Sequence, residues 1–267
     1  MERRHFASAF GVGLVAAAAT SQPATAQQVA RSRLAQILER GTVRVGTTGD
    51  FNPMSFRDPG SNDYKGFDIE AMLQFAADTG VKVEWVPAEW ATIVAGIASN
   101  RFDIFSGASV SMGRAKTAAF SLPYVEAGTV PLTSKANAGK FTSWEALNAA
   151  SVRIAVSMGT VFDDQAKLYF PKSQIKAVQS PATGYQEVLA GRADATITSN
   201  VEAATLVQRY EQLTLLGRDV APRAKRPFAY VVAQDDPAWL NYVNTWVSLN
   251  RIGGLFDTLE AKWLAKA

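Results

Sequence analysis

The sequence predicts an α/β chain of two lobes, joined by two crossover segments that form a hinge. Three observations predict it. Two stretches share the same strand–helix grammar, and two extended segments without helical period connect them. In addition, SNRFDIFSG (99–107) is echoed by AGRADATITS (190–199): each leaves a helix through Arg-x-Asp, enters an apolar strand and ends in a polar loop.

The chain opens MERRHF, runs through small and apolar residues from Ala7 to Ala19, and reaches Ala24-Thr25-Ala26. Positive charge, a short apolar run and small residues read as an export signal over 1–26. The run is shorter than the ~20 residues needed to span a bilayer. Arg3-Arg4 also permits twin-arginine export. Beyond it, residues 27–130 with 228–267 are expected to form the first lobe and residues 131–227 the second.

The 267 residues carry 27 Lys and Arg against 24 Asp and Glu, a net charge of +3 with no basic run, so nucleic acid is not an expected partner. There is no cysteine, and the one histidine, His5, lies in the export signal. Thiolate chemistry, a Ser-His-Asp triad and a histidine metal site are therefore excluded from the exported chain. No cofactor or metal is expected.

In the first half, Val43–Thr47 reads as a strand. A helix is expected over 68–79, with Asp68 as N-cap and Gly80 as stop. A strand at Val83–Val86 and a helix carrying Trp90, Ile93, Val94 and Ile97 follow, and the strand Asp103–Phe105 runs into the loop FSGASVSMGRAK (105–116). The second half opens with a capping box, Thr142-x-x-Glu145, then a strand at Val152–Val156 that ends in Gly159-Thr160. A helix around Ala182–Leu189 and a strand at Asp194–Thr198 complete it. Tyr124–Ser134 and Phe228–Ala233 read as the connectors, and helices at Ala238–Asn250 and Leu255–Leu264 close the chain.

Glycines and hydroxyls gather where these strands end, the place where open α/β sheets bind ligands. Arg114 follows Ser106, Gly107 and Ser109, and its planar fork suits a carboxylate; an arginine solvated on its helix accounts for the residue equally. Gly159-Thr160, opening a helix, offers backbone amides to an anion. Phe51 and Trp90 are candidate apolar walls or core residues, and Asp50 is a turn residue or a polar handle.

TTGDFNPMSF, KGFDIEAM, the Arg-x-Asp strand leading to SGASVSMGR, FSLPY, GT and RADATITS, in that order, resemble the periplasmic solute-binding proteins of polar amino-acid ABC transporters (extracellular solute-binding family 3). The resemblance implies a type II two-lobed fold, a ligand sandwiched by Phe51 and Trp90, and a carboxylate clamp at Arg114 helped by the Ser106–Ser109 loop and Thr160. It also implies a periplasmic location and an inner-membrane permease as partner. TTGDF with Trp90 is closer still to the cyclohexadienyl dehydratases, secreted lyases of the same fold. Against their pattern, Phe162 stands where the resemblance implies a general-acid glutamate. Ser199 replaces an ammonium-binding aspartate, and Val161 a hydroxyl. The expected function is capture of a small carboxylate or amino-acid-like ligand for transport. A dehydratase-like lyase is the alternative, and a receptor's sensor lobe is a third reading.

Overall fold

The computed structural model describes Met1, residues 31–217 and residues 220–264, so the expected export signal lies outside the described residues. Ser32 caps α1 (Arg33–Arg40), its hydroxyl accepting from the Ala35 amide at 3.3 Å. Next come β1 (Thr42–Thr47) and a three-stranded flap of β2 (Asp50–Phe51), β3 (Ser55–Arg57) and β4 (Tyr64–Lys65).

Helix α2 spans Phe67–Thr79, but Asp68 is not its cap. Gly66 is, because at φ 129° a Cβ there would stand 2.4 Å from the Met54 carbonyl oxygen. Asp68 lies buried in the first turn and accepts from the Tyr124 hydroxyl at 2.7 Å. Burial pushes its carboxyl well above the usual range, and the Tyr124 hydrogen bond only partly opposes that.

Strand β5 (Lys82–Pro87) leads to a 3₁₀ turn at Trp90–Thr92, so the helix expected from Trp90 starts later, as α3 (Ile93–Ala98). The chain continues through β6 (Ile104–Ser109), α4 (Met112–Ala115), β7 (Ala119–Phe120) and β8 (Val125–Ser134).

The capping box expected at Thr142–Glu145 does not form. The chain makes only a 3₁₀ turn at Glu145–Leu147, and it is the Ser143 hydroxyl that accepts, from the Ala146 amide at 3.3 Å. Beyond it lie β9 (Arg153–Ser157), α5 (Val161–Tyr169), β10 (Gln174–Val178), α6 (Gly184–Leu189), β11 (Ala195–Ser199), α7 (Asn200–Arg209) and β12 (Leu213–Leu215). β13 (Arg223–Val232) begins ahead of the predicted Phe228, and α8 (Pro237–Ile252) and α9 (Leu255–Trp263) follow. Asp236 caps α8, accepting from the Trp239 amide at 2.9 Å.

The main sheet runs β10-β9-β11-β8-β13-β6-β1-β5. Each half contains three parallel strands, β5-β1-β6 and β10-β9-β11, bordered by one antiparallel strand, β13 and β8 respectively. Those two strands also pair with each other, Val125 opposite Phe228 and Thr129 opposite Arg223. Both connectors are thus continuous strands whose two ends belong to different halves. The apolar core divides accordingly. One cluster around Phe75, Tyr230 and Trp239 fills the first half, and two smaller ones, around Ile154 and Phe170 and around Leu132 and Leu206, fill the second.

The repeat seen in the sequence is structural. Asp103 accepts from the Arg44 amide at 2.8 Å and from its guanidinium at 2.7 Å; Asp194 does the same for Arg153, at 2.9 Å and 2.9 Å. Each aspartate returns its own amide to that arginine's carbonyl. Each thereby fastens a parallel strand to its neighbour just before the loop that reaches the cleft.

Candidate functional site

A cavity lies between the two halves at the carboxyl ends of the parallel strands. Ser111, at the end of the loop after β6, caps α4 by accepting from the Arg114 amide at 3.3 Å. This aims the Arg114 side chain into the cavity, where Nη1 donates to the Ser109 carbonyl at 3.1 Å and Nη2 to the Gly159 carbonyl at 3.0 Å. Those carbonyls come from opposite halves. Its guanidinium stands 5.9 Å from the Trp90 ring centroid. Burial lowers the Arg114 pKa to about 10, with Asp164 opposing the shift, so the group stays cationic at neutral pH.

Asp50, Phe51, Trp90, Ser109, Arg114 and Thr160 all line the cavity. Phe51 and Trp90 meet edge to face, with centroids 5.8 Å apart and planes at 87°, so they form one corner rather than two parallel plates. Both carboxylate oxygens of Asp50 are engaged. Trp90 Nε1 donates to Oδ1 at 2.8 Å, and the Ser180 hydroxyl, from the other half, donates to Oδ2 at 3.0 Å.

The expected anion cradle at Gly159-Thr160 is partly closed. Thr160 turns its hydroxyl to the Ser157 carbonyl at 2.7 Å and its amide to the same oxygen at 3.4 Å.

Three candidates lie away from the cavity lining. Ser106 is buried in β6. Gly107 backs the buried acid cluster, since a Cβ there would meet the Tyr124 hydroxyl at 2.0 Å and Asp68 Oδ2 at 2.6 Å. Ser199 is buried as the cap of α7, its hydroxyl accepting from the Glu202 amide at 3.1 Å, and it lines only a small adjoining pocket.

Glu202 is the residue that the sequence reading passed over. It lies in the first turn of α7 and lines the cavity, and the Thr198 hydroxyl donates to its carboxyl. Burial raises its pKa to about 8, against the Thr198 hydrogen bond, and the charge of Asp50 adds to the rise. Ser199-x-x-Glu202 has the spacing of a capping box, but only the serine half forms, which frees the carboxyl for the cavity. Phe162, Tyr185, Ile197 and Leu206 complete an apolar second-half wall.

Two lobes of α/β structure, joined by paired strands around a cavity that a half-buried arginine lines, have the architecture of a two-lobed binding protein. Residues 43–266 match the bacterial extracellular solute-binding proteins, family 3, and the chain belongs to that family. It is 31% identical over 243 residues to the cyclohexadienyl dehydratase of Pseudomonas aeruginosa, covering 89% of this chain and 88% of that one. It is 27% identical over 233 residues to the L-cystine-binding protein TcyJ of Escherichia coli, covering 86% and 85%. Among solved structures it resembles the ancestral amino acid-binding protein AncCDT-1, described as a precursor of cyclohexadienyl dehydratase. The TM-score is 0.81 and the identity 37%, over 87% of this chain and 100% of that one. Among the described residues no helix is long and apolar enough to cross a membrane.

Proposed function

We propose that this chain captures a small organic carboxylate of amino-acid size in the cleft and hands it to an ABC permease of the inner membrane. It would do so in the periplasm, after loss of residues 1–26, with 27–130 and 228–267 closing against 131–227. One observation carries the reading. Arg114 is held in the cavity by two backbone carbonyls from opposite halves rather than by a carboxylate. A ligand carboxylate is a stronger acceptor for the fork than either carbonyl, because it carries a full negative charge and takes two parallel N–H bonds at once. Exchanging one for the other rewards ligand binding at the seam. A thermal-shift screen of amino acids, keto acids and aromatic acids tests it. A ligand at 100 times its Kd stabilises by about 2.7 kcal/mol, and a screen in which no carboxylate raises the melting temperature overturns the reading.

Glu202 favours a second reading, a lyase of the dehydratase kind. The absence of an acid at Phe162 argues against that chemistry less strongly once another buried carboxyl, protonated at neutral pH, lines the same cavity. Incubation with prephenate separates the two. Phenylpyruvate formed well above the spontaneous rate, and lost in Glu202→Gln, makes the protein a lyase; its absence leaves capture.

A further inference from the structure

Arg114 on α4 and Glu202 on α7 line the same cavity, together with the apolar side chains of Phe51, Trp90, Ile197 and Leu206. We propose that the Glu202 carboxyl donates a hydrogen bond to a second oxygen of the ligand, so that the cleft selects a monocarboxylate bearing an uncharged keto or hydroxyl oxygen in place of an α-ammonium. This rests on the carboxylate-capture reading and names the ligand class within it.

The charges around the cavity lead to that class. An α-ammonium needs an ionised carboxylate within reach, since an unpaired buried charge is costly. Asp50 already holds one donor on each oxygen, Trp90 Nε1 and the Ser180 hydroxyl of the other half, and an ammonium reaching it would have to share the carboxylate with both. Ser199, where the resemblance implies an aspartate, is enclosed as a helix cap. Among the described residues Glu202 makes no ion pair, and the Thr198 hydroxyl donates to its carboxyl. A second ligand carboxylate is disfavoured for the same reason, because Arg114 is the cation lining the cavity and Asp50 adds negative charge. An uncharged oxygen is the acceptor that a carboxylic acid serves without any ionisation.

Few other groups face Glu202. Strands β11 and β12 present no titratable side chain, and β8 presents only Glu126, which is exposed and paired with Lys225 at 2.9 Å. From α6 comes Tyr185, which burial and then Tyr210 push up to about 12; from β2 comes Asp50. On α7 itself the other charge is Arg209, in its last turn. Burial thus brings Glu202 to about 8, inside the window from pH 7 to pH 9, and Arg114 to about 10, above it.

The test is calorimetry on the exported chain with two matched pairs, phenylpyruvate with phenylalanine and 4-methyl-2-oxopentanoate with leucine. Titrations are run at pH 7 and pH 9 in buffers of different ionisation heat. A ligand that needs the acid form loses affinity with the fraction of that form, so the bound keto acid should weaken about tenfold from pH 7 to pH 9 and take up a proton on binding near pH 8. Its amino acid partner should bind more weakly at pH 7. Glutamine keeps an N–H donor but cannot ionise. Glu202→Gln should therefore bring the pH 9 to pH 7 affinity ratio close to one, whereas Glu202→Ala should weaken binding at both pH values. Far-ultraviolet circular dichroism confirms that each variant is folded. Amino acids bound more tightly, with proton release and affinity rising with pH, would make Glu202 an ammonium receptor and overturn the proposal. So would a pH dependence that survives in Glu202→Gln. Carboxylate binding with no pH dependence overturns this inference alone, as does failure of all four compounds; the capture reading falls with it only where the wider thermal-shift screen also returns no carboxylate.

Discussion

Arg114 shows how one residue is prepared for a ligand. Its guanidinium is desolvated enough to lower its pKa to about 10, yet its partners are the neutral carbonyls of Ser109 and Gly159. A hydrogen bond involving a charged group contributes about 1.5–3 kcal/mol, so Arg114→Ala should weaken carboxylate binding by roughly 10- to 150-fold. Arg114→Lys should fall between, because the charge survives and the two-pronged geometry does not. Calorimetry at pH 7 on the three proteins checks the order, and equal affinities would remove the clamp. Arg114 was legible as one of two readings, a clamp or an arginine solvated on its helix, and its place in the cavity lining, with carbonyls of both halves as partners, is what separates them. The hydroxyls were legible as a group but not one by one. Ser111 and Ser199 became helix caps and Thr160 turned to its own loop, since a buried hydroxyl meets the nearest backbone partner first. Glu202 was hidden by the opposite effect: Ser-x-x-Glu reads as a cap, and only the tertiary packing that buries α7 against β8 and β12 shows the carboxyl to be in the cavity.

Among the elements, the Arg-x-Asp junctions were readable as a repeat, and their purpose became clear only from the pairing. Asp103 is buried beneath Arg33, Arg40 and Arg44, and its backbone carbonyl accepts from Trp239 Nε1 at 3.0 Å, which ties β6 to α8. Burial pushes its carboxyl up, but the hydrogen bonds from Arg44 and the charges of Arg44 and Arg40 together outweigh burial and hold it below the usual range. A depressed pKa adds stability above the ordinary aspartate value of about 3.9, stability that is lost as pH falls through the folded value. Asp103→Asn should therefore cost on the order of 3–5 kcal/mol at pH 7, the range for breaking a buried pair, and should flatten the acid limb of the stability profile. Asp194→Asn should cost less, because its partner Arg153 is 46% exposed and water screens the pair. Urea unfolding of the three proteins at pH 7 and at steps from about pH 4 down to about pH 2 checks both the ranking and the slope, since the loss falls below the unfolded aspartate value; equal losses would mean that burial is not what separates the two junctions. The misread elements have local causes of the same kind. Gly66 displaced Asp68 as a cap because of the close Met54 carbonyl, and β13 extended through the basic segment because its partner β8 supplies a ladder there.

At the scale of the whole molecule, the two halves touch through few groups, and Gly159 is the tightest of them. Ser180 reaches Asp50, Gln179 reaches Glu89 at 3.3 Å, and Arg114 reaches the Gly159 carbonyl. Gly159 itself sits at φ +76°, and a Cβ there would stand 2.4 Å from the Ala91 Cα and 2.5 Å from its nitrogen. Those are backbone atoms of the facing half, in the turn that carries Trp90, so they cannot yield as a flexible side chain would. Any residue other than glycine should therefore hold the halves apart and break the Arg114 bridge. Gly159→Ala is expected to enlarge the radius of gyration measured by small-angle scattering at saturating ligand and to weaken binding at least about tenfold, the equivalent of one charge-assisted hydrogen bond that the ligand can no longer make to both halves at once. The left-handed backbone alone costs an alanine about 1–2 kcal/mol of stability, which would confound the reading without a control. Gly191 supplies it: its φ is +69° and a Cβ there meets nothing within 4 Å. Gly191→Ala should lose similar stability in thermal melts while keeping both the compact scattering profile and the affinity. If the two variants bind and scatter alike, close approach at Gly159 does not govern closure, and the hinge strands β8 and β13 must set the closed geometry by themselves.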